Sequence, residues 1–402
     1  MNSIASRRVN TIASVQRPAA GIEAAAGAAS VAEGSGARGI EQILDLARWA
    51  PSGDNSQPWR FEVLSERHVA VHAFDTRRHC VYDLEGRASQ LAVGAMLETM
   101  RIAASVQAQT LTFARRAGSP EETPIFDVLL NPSPGLAVDP LHTVVRERSV
   151  QRKPLSTRPI DAAAKRRLQD ALGPRHSVVW FETRAARLRF ARLAAHSAKI
   201  RLTIPEAYAV HRDIIEWNAR YSEERVPDQA LGADPVTLRS MRWALASWPR
   251  VQLMNRWFGG TLAPRLQLEL VPGMRCAAHF AIFAEQAPLT MVDQLAAGAA
   301  VQRFWLTATA LGLRLQPQYT PLVFADYARR GIPFTGVAAA RRRAASVARR
   351  LAALLAPGRP ECAVFLGRIG HGPAPAARSL RLPLERLRWQ GDGATPDGPP
   401  SR

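Results

Sequence analysis

A polar segment, Ala50-Pro-Ser-Gly-Asp-Asn-Ser-Gln-Pro-Trp59, is the feature that most constrains how this chain can fold. Before it, apolar residues recur at helical spacing from Ile40 to Ala50, and Pro51 is expected to end that helix. After it, the residues 60–64 alternate between apolar and polar as a strand does. The two prolines of the segment restrict its backbone. The sequence therefore predicts a rigid polar loop between a helix and a strand.

The order of helix, loop and strand occurs a second time along the chain. Residues 160–172 have helical periodicity, and residues 178–182 alternate as a strand. Long apolar helices are predicted at 89–108 and 294–313, and further strands at 125–130 and 362–366. We therefore predict an α+β fold made of two homologous halves.

The chain divides into four predicted segments. Residues 1–38 are poor in large apolar side chains, and we expect a disordered lead-in there. The first half covers 39–140, the second covers 141–390, and 391–402 form a disordered tail. The second half contains an insertion, 184–272, that is helical in pattern and rich in aromatic residues. These rings form either a satellite core or the lining of a pocket for a planar ligand.

Composition excludes several classes of protein. The 402 residues include 53 Lys and Arg against 34 Asp and Glu, a formal net charge of +19. The arginines are spread along the whole chain, which favours a compositional bias over a nucleic-acid surface. The three cysteines lie far apart, so neither a disulfide framework nor a zinc site is expected. No window of about 18 apolar residues predicts a membrane span. We expect a cytoplasmic protein without nucleic acid, membrane or metal as a partner.

The segment 50–59 resembles the A-P-S-x-x-N-x-Q-P-W segment of nitroreductase-like flavoproteins. The resemblance implies a nitroreductase-like α+β fold, an FMN cofactor held at a two-fold interface, and hydride transfer through flavin N5. A hydroxyl from Ser52 and an amide from Asn55 would suit the edge of an isoalloxazine ring. Alternatively, the side chains of Asn55 and Gln57 only form hydrogen bonds within their own turn. The cofactor-binding residues predicted in this loop are Pro51, Ser52, Gly53, Asn55 and Gln57.

A second element, Arg146-Glu-Arg-Ser-Val-Gln-Arg152, is similar to the basic R-x-S-x-R motif of the same family. Arg148 and Arg152 keep the four-residue spacing, but the family's serine position falls on Val150, and Ser149 stands one place earlier. Arginine suits phosphate because its planar fork donates two parallel hydrogen bonds. The resemblance assigns Arg148, Ser149 and Arg152 to FMN, with Arg148 or Arg152 beside the N1–C2 edge of the ring.

The third element lies near the C-terminus. Residues 365–371 followed by 378–384 resemble the closing strand and basic segment of the family, which returns to the cofactor phosphate. This likeness assigns Arg381 and Arg378 to FMN. Alternatively, both arginines lie on a solvated tail. A helix at 298–313 also resembles a family helix, and Gln316 after it is expected to approach the flavin.

Each half retains what the other has lost. The counterpart of the 50–59 loop in the second half, 172–180, lacks its Ser, Asn and Gln, and the first half lacks the basic motif. We therefore predict a fused pseudo-dimer that binds one FMN, with 51–57 facing 146–152 and 378–381. This resembles the tandem Acg-like family members and the modules beside molybdopterin-biosynthesis domains. The chain would be a monomer through its internal pseudo-dimer, or a homodimer.

The function implied by the resemblance is FMN-dependent transfer of hydride from NAD(P)H to a small planar acceptor, such as a nitroaromatic compound or a quinone. No catalytic side chain is assigned, because the flavin carries the chemistry. The insertion 184–272 either sets specificity as a lid or closes the pocket. The second possibility supports an alternative function, a protein that stores FMN or senses redox state.

Overall fold

The first part of the fold is a four-stranded antiparallel sheet packed against two helices. A computed structural model describes residues 35–356 and 359–391. In chain order the elements are α1 (Ser35–Ala47), β1 (Trp59–Ser65), β2 (His68–Ala73), α2 (Arg87–Val106), β3 (Gln109–Arg115) and β4 (Ile125–Pro132). Residues 1–34 of the predicted lead-in and residues 392–402 of the predicted tail lie outside the described residues.

The second part contains a similar sheet, interrupted by two helical stretches. It begins with α3 (Ala162–Ala171) and β5 (His176–Phe181). The first stretch comprises α4 (Arg184–Arg201), α5 (Pro205–Ile214), β6 (Ile215–Glu216), β7 (Tyr221–Ser222), β8 (Val226–Pro227), α6 (Pro235–Leu245), α7 (Trp248–Trp257), α8 (Leu262–Arg265) and α9 (Val271–Met274). There follow β9 (Ala278–Ala284), α10 (Met291–Ala310), β10 (Leu313–Pro317), α11 (Thr320–Arg329), α12 (Ala338–Leu355), β11 (Ala363–His371) and β12 (Arg378–Ser379).

The two four-stranded sheets have the same topology. The strand order is β1-β2-β4-β3 in the first and β5-β9-β11-β10 in the second. Every neighbouring pair in both sheets is antiparallel. With α1 matched to α3 and α2 to α10, both parts follow the order helix, strand, strand, helix, strand, strand.

The long helices α2 and α10 cross at a pair of glycines. A Cβ atom on Gly94 would lie 2.1 Å from the carbonyl oxygen of Leu295, and one on Gly298 would lie 2.0 Å from that of Leu91. The contact is reciprocal, since each glycine meets the carbonyl three residues before the other. Only glycine permits backbones to approach this closely.

The sheets differ in how their faces are covered. The first sheet buries one face on α1 and α2, while Leu129 is exposed on the other. In the second sheet, β9 directs Phe280 toward α10 and α3 and Phe283 toward α4, α11 and α12. Two covered faces explain why β9 is an almost continuous apolar run.

The predicted helices and strands are confirmed with shifted ends. The helix predicted to reach Ala50 ends at Ala47, and turns occupy the residues before Pro51. The prediction did not include β2, β3, β9, β10, α11 or α12. Short apolar runs such as β9 lack a period that separates strand from helix. The insertion is mostly helical, as predicted, and begins at Arg184.

Candidate functional site

One large cavity, of about 1460 Å³, collects the segments that the sequence singled out. The loop after α1, the segment between β4 and α3, the end of β10 and the residues around β12 all line it, and α4 to α8 cover the remaining side. The predicted cofactor-binding residues that line this cavity are Pro51, Ser52, Gly53, Asn55, Gln57, Arg148, Ser149, Arg152, Gln316, Arg378 and Arg381. The fold thus brings the whole predicted set together.

The loop 51–57 has an unusual backbone. Asp54, Asn55 and Gln57 have positive φ angles of 50°, 64° and 46°, a region that side chains other than glycine seldom occupy. The hydroxyl of Ser52 accepts a hydrogen bond from the backbone N–H of Gln57 at 3.0 Å, which closes the loop on itself. Such strain persists only where surrounding contacts hold it, and it is concentrated at functional sites.

The side-chain amides of this loop bind other parts of the chain. Asn55 Nδ2 and Gln57 Nε2 both donate to the carbonyl oxygen of Glu223, at 2.8 and 2.9 Å. Gln57 Oε1 accepts from the backbone N–H of Leu382 at 2.9 Å, and Asn55 Oδ1 accepts from Arg381 Nη1 at 2.8 Å. The two amides therefore join the loop to the insertion and to the C-terminal segment. One bond, from Gln57 Nε2 to the Asn55 carbonyl at 3.2 Å, lies within the turn itself.

Two buried arginines and a half-buried one form a cluster of positive charge. Arg148 is 2% and Arg381 7% exposed, and Arg378 lies beside them. Arg148 donates to the Trp49 carbonyl at 3.0 Å, Arg378 to that of Arg148 at 3.3 Å, and Arg381 Nε to that of Ala50 at 2.9 Å. Within the described residues, none of the three forms a salt bridge. The cluster is therefore a cationic site without an internal counter-ion.

The mutual repulsion in this cluster affects its protonation. Burial, followed by the charges of Arg381 and Arg378, holds the pKa of Arg148 well below its usual range. Burial and the neighbouring guanidinium of Arg378 lower the pKa of Arg381 to about 9. An anion bound here would offset both the desolvation and the repulsion.

Aromatic rings and unpartnered polar atoms adjoin the cluster. The guanidinium carbon of Arg148 lies 4.6 Å from the ring centroid of Trp305, and that of Arg378 lies 5.4 Å from the centroid of Trp49. Within the described part of the chain, Nε of Arg148, Nε of Arg378 and Oε1 of Gln316 are buried without a hydrogen-bond partner. Buried polar atoms are usually paired, so these fit a wall that is completed by a bound polar ligand.

Arg152 lies in a different part of the cavity, with charges of both signs around it. It donates to the Ala230 carbonyl at 3.2 Å, and its pKa is lowered by burial but supported by Asp54 and Glu269. Glu269 also accepts from Arg201 at 2.9 Å. Arg152 is therefore partly neutralised, unlike the three-arginine cluster.

A buried arginine of β11 fixes the segment that carries Arg152. Arg368 is 1% exposed and donates to the carbonyl oxygens of Gln151 and Lys153, each at 3.2 Å. It thus acts as a positioning residue behind the cavity wall. Arg368 belongs to the segment 365–371, whose likeness to the family assigns this residue no role.

The side of the cavity under the insertion holds a hydrogen-bonded tyrosine and histidine. Tyr82 Oη and His211 Nε2 are 2.9 Å apart. Burial lowers the pKa of His211 to about 3, so its ring is neutral near pH 7, and burial raises the pKa of Tyr82 well above its usual range. Burial also raises the pKa of Asp54, although Arg152 and Arg201 oppose the shift. Sequence reasoning missed this group because Tyr82 and His211 belong to no motif and lie 129 positions apart.

Two kinds of feature, a metal-binding cluster and a membrane-spanning helix, are absent from the described residues. In the described ranges, no group of three or more His, Cys, Asp or Glu side chains could hold a metal ion. None of the described helices combines the length and the hydropathy that a membrane-spanning segment requires.

One part of the chain matches a known protein family. Residues 38–120 match the model of the Nitroreductase family. Among solved structures, the chain is similar to a candidate nitroreductase in complex with FMN from Desulfovibrio desulfuricans, at 17% sequence identity and a TM-score of 0.30. That likeness covers 62% of this chain and 95% of the other. No curated protein matches the chain. The family match includes the 51–57 loop, β1, β2 and α2.

Proposed function

We propose that this chain is an FMN-dependent oxidoreductase that transfers hydride from NAD(P)H to a small planar acceptor, such as a nitroaromatic compound or a quinone. The observation that carries the proposal is the cationic cluster of Arg148, Arg378 and Arg381 in the same cavity as the loop 51–57. The Nitroreductase family match over 38–120 includes that loop and supports an oxidoreductase.

The residues fit an FMN phosphate. Three arginines without a carboxylate partner leave a positive charge that a phosphate dianion would offset, and guanidinium groups bind phosphate through paired hydrogen bonds. We assign Arg148, Arg378 and Arg381 to the phosphate. Arg152, which lies apart from them, we assign to the N1–C2 edge of the ring, with Ser52 and Gln316 as further polar contacts.

When bound, FMN supplies the two-electron chemistry, and the chain supplies position and charge. A positive charge at the ring edge, from Arg152, would stabilise the anion that reduction produces. On the acceptor side, we assign Tyr82 as the donor of the proton that accompanies the hydride, with its hydroxyl oriented by His211. The apolar side chains of α5, α6 and α7 that line the cavity would exclude water from this reaction.

The two sheets are proposed to be homologous halves of a fused pseudo-dimer with a single flavin site. Their identical strand order and the reciprocal glycine crossing of α2 and α10 support this proposal. The loop 51–57 comes from the proposed first half, and Arg148, Arg378 and Arg381 come from the proposed second half. Because each half supplies only one of these two elements, one complete site per chain is expected. Native mass spectrometry should find one FMN per chain, and two FMN per chain would contradict the fused arrangement.

The decisive experiment is purification under native conditions, followed by an absorbance spectrum. A yellow protein with about one FMN per chain is expected. Anaerobic mixing with NADPH and with NADH should then bleach the flavin rapidly with at least one of them, and a quinone should restore the colour. A colourless protein that does not take up added FMN would contradict the proposal.

Storage of FMN or redox sensing is the second candidate function. The observation that favours it is the pair of hydrogen bonds from Asn55 and Gln57 to the Glu223 carbonyl, which tie the insertion to the loop. A protein of this type would be yellow but would bleach slowly or not at all with either nicotinamide. The same mixing experiment therefore separates the two candidates.

A further inference from the structure

The outer side of the insertion carries an unusual concentration of exposed apolar side chains. Trp257 is 67% and Phe258 69% exposed, and these two follow directly on each other at the end of α7. The exposed large apolar side chains from 243 to 266 are here named the insertion face: Trp243, Leu253, Trp257, Phe258, Leu262 and Leu266. Contiguous apolar surface of this kind marks an interaction site.

The exposed charged side chains on α6 and α7 are all positive. Arg239, Arg242, Arg250 and Arg256 are exposed on α6 and α7, and the guanidinium groups of Arg250 and Arg256 lie 5.2 Å from the ring centroids of Trp243 and Trp257. The only acidic residue from 235 to 275 is Glu269, and its carboxylate is bound to Arg201. Asp234, which directly precedes this stretch and caps α6, is a single negative charge against four exposed arginines.

The insertion face is continuous with the lining of the cavity. Phe258 belongs to both, since it is exposed and also lines the cavity. Gly259 and Gly260, which lie between it and α8, and Ala263 of α8 line the cavity as well. Whatever covers the insertion face therefore also lies against this part of the cavity wall.

We propose that the insertion face binds the surface of an anionic lipid bilayer, with Trp257 and Phe258 inserted among the headgroups and the arginines paired with lipid phosphates. Tryptophan and phenylalanine beside arginine are the composition of elements that lie in the interfacial layer. A second copy of this chain is a poorer occupant, because two such faces would bring arginines together without acidic partners. The finding that no described helix can span a membrane does not bear on binding at its surface.

This inference is independent of the redox activity. Its one consequence for catalysis, which rests on the proposed function, is that apolar acceptors dissolved in the bilayer would lie against this part of the cavity wall. Binding to lipid can be measured on the full chain with or without FMN, so failure of either proposal is visible separately.

The test is vesicle flotation with the full-length protein. Vesicles of phosphatidylcholine mixed with an equal part of phosphatidylglycerol should carry the protein, and vesicles of phosphatidylcholine alone should carry at least tenfold less. The double variant Trp257→Ser/Phe258→Ser should lose at least tenfold of the binding. Leu289→Ser/Val292→Ser, which removes two exposed apolar residues elsewhere, should bind as the unmodified protein does.

A charge-matched pair of variants completes the test. Arg250→Gln/Arg256→Gln should weaken binding to the anionic vesicles severalfold more than Arg342→Gln/Arg349→Gln on α12, although both lower the net charge equally. Equal losses in the two would mean that overall charge alone attracts the protein, and would overturn the proposal. No flotation, together with a dimer in sedimentation analysis that Trp257→Ser dissociates, would overturn it in favour of a second copy.

Discussion

At the scale of single residues, the arginines of the cavity differ by their neighbours. Arg148, Arg378 and Arg381 contact backbone carbonyls, an amide and aromatic rings, whereas Arg152 lies near Asp54 and Glu269. A buried charge without a partner opposes folding, so a group of three is expected only where a ligand supplies the opposite charge.

Arg148→Met is predicted to weaken FMN binding at least tenfold, because a hydrogen bond to a charged group contributes about 1.5–3 kcal/mol. The same change should leave the stability of the ligand-free protein equal or higher, since it removes a buried like charge. Equilibrium dialysis with FMN and urea unfolding measure the two effects.

The control is Arg116→Met, which removes an arginine that pairs with Asp127 at 2.6 Å on the first sheet. FMN affinity should not change in this variant. A variant at position 148 that keeps full FMN affinity would refute the assignment of Arg148 to the phosphate.

Tyr82→Phe is predicted to slow reduction of the acceptor by about 10²-fold, the lower end of the range for a positioned proton donor. FMN content should be unchanged, since Tyr82 lies apart from the three-arginine cluster. Stopped-flow reoxidation of the reduced protein by a quinone, alongside the flavin absorbance per chain, tests both statements. An unaltered reoxidation rate would remove Tyr82 from the mechanism.

At the scale of secondary-structure elements, the crossing of α2 and α10 determines how the two sheets meet. Each helix is 20 residues long, and each presents one glycine to a backbone carbonyl of the other. The relative position of the cavity segments depends on this crossing, because the loop 51–57 leads into β1 of the first sheet and Arg152 precedes β5 of the second.

Gly94→Ala is predicted to destabilise the protein by about 1–3 kcal/mol, the usual cost of overpacking. Alanine is the better helix former by about 1 kcal/mol, but the new methyl group would meet the Leu295 carbonyl, and the helices must separate to admit it. Urea unfolding measures the change. Gly336→Ala, where the added Cβ meets nothing within 4 Å, is the matched control and should be close to neutral.

At the scale of the whole molecule, buried neutral histidines make stability depend on pH. Burial lowers the pKa of His211 to about 3 and that of His279 to about 4, from an ordinary value of 6.5. Below that ordinary value the unfolded chain takes up protons that the folded chain does not. The free energy of unfolding should therefore fall with acidification from about pH 6.5 to about pH 4, by about 1.4 kcal/mol per pH unit for each histidine.

Urea unfolding at neutral pH and at about pH 5 measures this decline. His211→Gln should make it shallower, because one of the histidine titrations is lost while a polar side chain remains beside Tyr82. His371→Gln, at the end of β11, serves as the control and should leave the slope unchanged. A slope that is the same in all three proteins would contradict the assignment to His211.

The local features of the fold can be predicted from the sequence alone. Helical periodicity, alternation and the two prolines around the loop 51–57 sufficed to predict α1, β1, α2 and β4 within a few residues, because these signals lie in neighbouring positions. The same applies to the basic segment with Arg148 and Arg152, which is visible as a spacing of four residues.

How these features combine depends on tertiary packing. Asn55 meets Arg381 across 326 positions, Tyr82 meets His211 across 129, and Arg148 and Arg152 separate into different parts of the cavity although they are four residues apart. Such contacts depend on the crossing of α2 and α10 and on the path of the insertion. No local pattern encodes either of these, because distant side chains meet only when the packed elements bring them together.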